Sequence, residues 1–228
     1  MFEATELRKI LAEAKQPLKA MVLLAANCAF GQTDLANLPT CAVDMDAGWI
    51  NFARVKTAVP RRIPLWPETV AAIREWLPMR PKAKDPEDSK LLFRTCRGAP
   101  WVTVSLSGTT KDAIGKDFKI LLVKLGMKRS RLSFYGLRHG FETVAGETAD
   151  QVAVDSIMGH VPQEMSATYR ERISDDRLRR VVNFVRSWMF GDLPEPGDET
   201  VPDAVAAPET SEPTTNENDA PTLKLFAG

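Results

Sequence analysis

Residues 134–141 read FYGLRHGF, residues 157–160 read IMGH, and Tyr169 follows nine positions after His160. This span holds both histidines of the chain (His139, His160) and both tyrosines (Tyr135, Tyr169). Scarce titratable groups gathered in one stretch mark a candidate site. Phe134, Leu137 and Phe141 recur at i, i+3 and i+7, a stripe for a helix to bury. Tyr135, Arg138 and His139 recur at i, i+3 and i+4 on the neighbouring face. An arginine there can present its planar fork to a phosphate through two charge-assisted bonds. Taken alone, an Arg–His pair on a helix is more often ordinary solvated surface, so the rest of the chain decides.

Apolar periodicity predicts helices over 3–14, from Pro17 to about Phe30, over 111–125, and over 134–146, 150–158, 164–172 and 174–189. The Pro17–Phe30 stretch is apolar nearly throughout and is expected to be buried. Thr33 is expected to cap a short helical turn. Pro67 opens a further helix, PETVAAIREWL, from the tolerated first position. Between Cys41 and Leu65, the segments CAVDMD, WINFARVK and RRIPLW are separated by Asp46-Ala47-Gly48 and Ala58-Val59-Pro60. That pattern predicts three antiparallel strands. A polar loop over Pro78–Ser89 leads to a short strand, LLFRT. The fold class is therefore α+β, mainly helical, with one small three-stranded antiparallel sheet over residues 1–190.

The formal net charge is zero, but it is unevenly spread. Residues 191–228 carry nine acids against Lys224 alone, so 29 bases and 21 acids remain in residues 1–190. A body with eight surplus positive charges suits a polyanionic partner; a soluble domain with a solubilising tail fits as well. The tail is rich in proline and small polar residues and is expected to be disordered. Cys28, Cys41 and Cys96 show no CxxC spacing and cannot complete a disulfide framework. No run of 18 apolar residues and no signal peptide is present, so a cytoplasmic location with no membrane partner is expected.

A lysine lies upstream in the expected hairpin, Lys56-Thr57, followed by Arg61, Arg62, Ile63, Pro64 and Leu65. Together with Tyr135-Gly136-Leu137-Arg138-His139, Met158-Gly159-His160 and Tyr169, it resembles the motif set of the tyrosine recombinases, the phage integrase family, over about residues 3–190. The resemblance implies the catalytic fold of that family and site-specific recombination of double-stranded DNA through a 3′-phosphotyrosine intermediate. It implies Tyr169 as nucleophile, Arg138 as phosphate clamp and Lys56 as general acid for the leaving oxygen. His160 would bond a phosphate oxygen and His139 would support proton transfer. No metal or cofactor is implied, and a homo-oligomer assembled on DNA is.

Two departures stand out. The family carries a further arginine in a segment like T-G-x-R-x-x-E-L, and aligning Asp34-Leu35 with E-L puts Gly31 in its place. Losing one preorganised donor to a transition-state anion costs roughly 3–4 kcal/mol. Arg61 or Arg62 could reach the phosphate from the hairpin, and Tyr135 replaces the first motif histidine with an uncharged donor. The second departure is that the pattern starts almost at Met1, so the helical DNA-binding domain that precedes it in the family is expected elsewhere or not at all. The alternative to an active recombinase is a catalytically impaired DNA-binding relative; an interaction module whose histidines and tyrosines merely pack is a third reading.

Overall fold

The computed structural model describes residues 1–105, 107–130, 132–161 and 172–191. They belong to a compact unit, Met1–Pro194. The expected helix 164–172, with Tyr169, and the acidic tail lie outside the described residues except at their first or last positions.

Helix α2 (Leu18–Cys28) is the centre of the unit and is buried on nearly every face, as its continuous apolar run dictates. It packs against α4 (Pro67–Trp76) and α6 (Tyr135–Gly146). Helix α1 (Ala4–Glu13) buries Leu7, Ile10 and Leu11. Helix α5 (Ala113–Lys124) buries Ile114, Phe118, Leu121 and Leu122. Helix α8 (Asp175–Phe190) closes against α1, α6 and α7 (Gln151–Met158) with Leu178, Val181, Val182, Val185 and Met189. Each stripe follows the 3.6-residue period read from the sequence.

The three-stranded sheet has the expected order. β1 (Val43–Asp44), β2 (Trp49–Asn51) and β3 (Arg62–Pro64) pair antiparallel in sequence order, with Ile50 opposite Ile63. The strands are shorter than the quoted segments, yet backbone bonds Phe52 N to Arg61 O (3.0 Å) and Arg54 N to Val59 O (2.9 Å) carry the hairpin outward to its tip. Asn27, buried at the end of α2, ties this sheet to the core. Its amide donates to Pro64 O (3.0 Å), and its carbonyl accepts from Trp66 N (2.8 Å) and Thr69 Oγ1 (3.0 Å). A buried amide bonded through both its nitrogen and its oxygen fixes register as well as adding stability.

Three local expectations are corrected. Thr33 lies inside α3 (Gln32–Asn37); the cap is Gly31, whose N–H donates to Asp34 Oδ2 at 3.2 Å. The segment LLFRT is largely buried but forms no strand: its backbone pairing is one isolated bridge, Leu91 with Pro39, beside the bond from Leu92 N to Leu38 O, and Leu92 O is taken by the Trp76 indole. A second hairpin, β4 (Val102–Val104) with β5 (Thr110–Asp112), stands where no strand was expected. Its residues are largely polar and exposed, so no buried face declared it.

Asp150 joins α7 to α8. Its carboxylate accepts from Ala153 N (3.1 Å), capping α7, and binds the guanidinium of Arg177 in α8 at 2.8 and 2.5 Å. The bonds from Arg177 hold the Asp150 carboxyl below its ordinary range. A depressed carboxylate stabilises the fold above its unfolded pKa of about 3.9, and that stability is lost as pH falls toward the folded value. Asp150→Ala is expected to lower stability by about 1–2 kcal/mol at pH 7, with the difference from wild type shrinking below about pH 4. Urea denaturation midpoints at the two pH values check this.

Candidate phosphate-binding site

The chain leaves α2 through Ala29, which takes a left-handed conformation (φ 54°). That conformation is costly without glycine. It presents Ala29 O to Arg138, whose Nη1 donates to it at 2.6 Å. Arg138 Nη2 donates to Met158 O, at the end of α7, at 2.7 Å. The guanidinium is thus fixed by two carbonyls from two helix ends and is 2% exposed. Burial lowers its pKa below the ordinary arginine value, and the charge of Arg54 adds to that. Among the described residues no carboxylate lies within ion-pair distance of Arg138.

Helix α7 ends at Gly159 (φ 66°), with Gly159 N bonded to Ser156 O and His160 N to Asp155 O. This left-handed cap needs glycine on backbone grounds. A second reason is steric: a Cβ at Gly159 would stand 2.9 Å from Arg54 Cβ and from Arg61 Cδ. Gly159 O accepts from Thr57 Oγ1 (3.0 Å) and from Arg54 Nη1 (3.4 Å). The β2–β3 tip is therefore clipped onto the residue that precedes His160. The imidazole Nδ1 of His160 lies 3.0 Å from Asp155 Oδ1, which leaves Nε2 as the outward nitrogen.

Asp34 joins the remaining parts. Its carboxylate accepts from Gly31 N, from Val55 N at the hairpin tip (3.2 Å), and from Arg61 Nη2 and Nη1 (3.1 and 3.4 Å). Arg61 also donates Nε to Phe52 O (3.0 Å) and lies 4.3 Å over the Phe30 ring. Both members of the pair are buried.

The structure brings Arg138, His160 and the Lys56 turn together around the end of α7. Lys56 is exposed on that turn, between Val55 and Thr57. Tyr135 and His139 sit at the solvent side of α6, ring edge to face at 5.0 Å. The Tyr135 ring also lies 3.6 Å from where a Cβ of Gly31 would be. Arg61 is spent on Asp34. Arg62 is bound to Asp175 at 2.9 and 3.0 Å and stacked 3.9 Å from the Trp49 ring. Tyr169 lies outside the described residues. Arg54, which the sequence pattern does not single out, joins the site through its bond to Gly159 O; its proximity to Lys56 is its only signal in the sequence. A cavity of about 590 Å³ runs along the hairpin between Asn51, Pro60, Ser156, Arg172 and Leu178. Among the described residues no three His, Cys, Asp or Glu side chains form a metal-binding group, and no helix is long and apolar enough to cross a membrane.

The phage integrase family model matches residues 1–174. Among solved structures, the Tn1549 transposon integrase in complex with a circular intermediate DNA matches with a TM-score of 0.59 and 18% identity, over 80% of this chain and 64% of that one. The XerA recombinase matches at 0.57 and 21%, over 80% and 63%. The integrase from mycobacterium phage Brujita matches at 0.55 and 20%, over 80% and 56%. The chain thus spans less than two thirds of each of these structures, and at such identities the likeness is one of fold. No curated protein sequence matches it.

The two arginine pairs separate by burial. Asp34→Ala leaves Arg61 charged and uncompensated in the interior and is expected to cost about 3–5 kcal/mol. Asp175→Ala breaks a pair whose side chains are 45% and 48% exposed. It is expected to cost less than about 1 kcal/mol. Guanidinium chloride unfolding of the two variants measures the contrast.

Proposed function

The chain belongs to the phage integrase family, and from that membership we propose that it cuts and rejoins double-stranded DNA through a covalent phosphotyrosine link. The observation that carries this reading is Arg138, buried, held by two carbonyls and free of any carboxylate pair among the described residues, with His160 two positions beyond one of those carbonyls. A guanidinium held in this way is preorganised for an anion. In the proposed reaction the Tyr169 hydroxyl oxygen attacks the phosphorus and gives up its proton with the help of His139. The P–O5′ bond breaks, and Lys56 protonates the departing 5′ oxygen. Arg138 and His160 stabilise the charge that gathers on the non-bridging oxygens. The 3′-phosphotyrosine keeps the bond energy, so the reverse attack by a 5′ hydroxyl reseals DNA without ATP. The assembly that exchanges strands would be a homo-oligomer on DNA.

A second reading, a DNA-binding relative with impaired cleavage, is favoured by Gly31, which supplies no cation where the family has an arginine. A nicked suicide duplex separates the two. Wild type is expected to form a covalent protein–DNA adduct, and Tyr169→Phe to form none. Adduct in Tyr169→Phe would remove the nucleophile assignment; salt-dependent binding without adduct in wild type would favour the second reading.

A further inference from the structure

We infer that Arg54 is the second guanidinium of the phosphate-binding site and does the work of the arginine absent at Gly31. This rests on the DNA-cleaving reading proposed above, and it names a residue outside the motif set.

Gly31 carries no side chain and the Tyr135 ring packs beside it, 3.6 Å from where a Cβ would be, so a second cation comes from another element. The β2–β3 hairpin offers four. Arg61 is buried and bound to Asp34 and Phe52 O. Arg62 is bound to Asp175 of α8. Lys56 stands exposed on the turn, where the general-acid role already claims it.

Arg54 is held differently. Its backbone is locked in the tip: its N–H donates to Val59 O (2.9 Å), and its carbonyl accepts from Ala58 N (2.7 Å) and Thr57 N (3.2 Å). Its aliphatic stem lies across Gly159, where a Cβ would stand 2.9 Å from Arg54 Cβ and 3.2 Å from Cδ. The guanidinium makes one long bond, Nη1 to Gly159 O at 3.4 Å, and most of its five donors stay available. No carboxylate lies within ion-pair distance of it among the described residues. Asp34, the nearby acid, is already engaged by Arg61, Val55 N and Gly31 N.

The geometry then places two guanidiniums on consecutive carbonyls. Arg138 binds Met158 O and Arg54 binds Gly159 O, with His160 next in the chain. Two like charges held side by side repel, and the repulsion bears on the Arg138 guanidinium. An anion lodged between them relieves it. A phosphodiester has the charge and the two non-bridging oxygens to take one donor from each side.

The test has two arms. In the first, adduct formation on a nicked suicide duplex is timed for wild type, Arg54→Ala and Arg54→Lys. Arg54→Ala is expected to slow it by about 100-fold or more. Arg54→Lys, which keeps the stem and the charge, is expected to recover part of that loss. In the second, duplex affinity is followed against salt, and Arg54→Ala is expected to lower the slope by about one contact while Arg54→Lys keeps it. Thermal unfolding of each variant confirms that the fold persists. An Arg54→Ala rate within about threefold of wild type, or an unchanged salt slope, overturns the inference. If wild type itself gives no adduct, the cleavage reading fails, and the salt slope alone still decides whether Arg54 holds a phosphate.

Discussion

The site depends on one buried ion pair, Asp34 with Arg61. Two charges taken out of water are tolerated only when each is fully bonded, and here each is. Asp34 closes the start of α3, holds Val55 N at the hairpin tip and binds Arg61; Arg61 in turn secures Phe52 O and lies on the Phe30 ring. Through these bonds α3, the hairpin and the end of α2 become one piece. The hairpin tip can then be clipped to Gly159 O, and the end of α7 is brought to Arg138. The sheet is short and polar at its tip and would not hold this position by strand pairing alone.

A consequence is that the basic surplus of the body is sorted by what each cation is bonded to. Arg61 is structural, because its charge is matched inside the protein. Arg62, Arg177 and Arg186 are tied to Asp175, Asp150 and Glu68 and brace α8. Arg138 is the other kind: buried, geometrically fixed, and short of negative charge. An arginine with no acid within ion-pair distance among the described residues suits an anion brought from outside.

Much of this was legible in the sequence, and the reasons are physical. Helices α1, α4, α5, α6, α7 and α8 show in the apolar period because each buries a stripe, and α2 shows as a continuous apolar run. The three-strand sheet shows because Gly48 and Pro60 punctuate it. The segment around Arg138 and His160 stands out because it holds the chain's only two histidines and only two tyrosines. The second hairpin did not show, since Val104 and its neighbours face solvent and leave no alternating buried face. The part played by Arg54 did not show either: it is made by a contact between the hairpin and Gly159, 105 positions apart in the chain, which no local pattern encodes. For the same reason no local pattern shows that Asp34, 27 positions away, holds Arg61.

The most direct measurement is a crystal structure of the chain bound to a duplex. One backbone phosphate is expected within hydrogen-bond distance of both Arg138 and Arg54, at the end of α7, with Arg61 still bound to Asp34. A phosphate seated elsewhere, or reached by Arg61 after it leaves Asp34, would contradict this expectation.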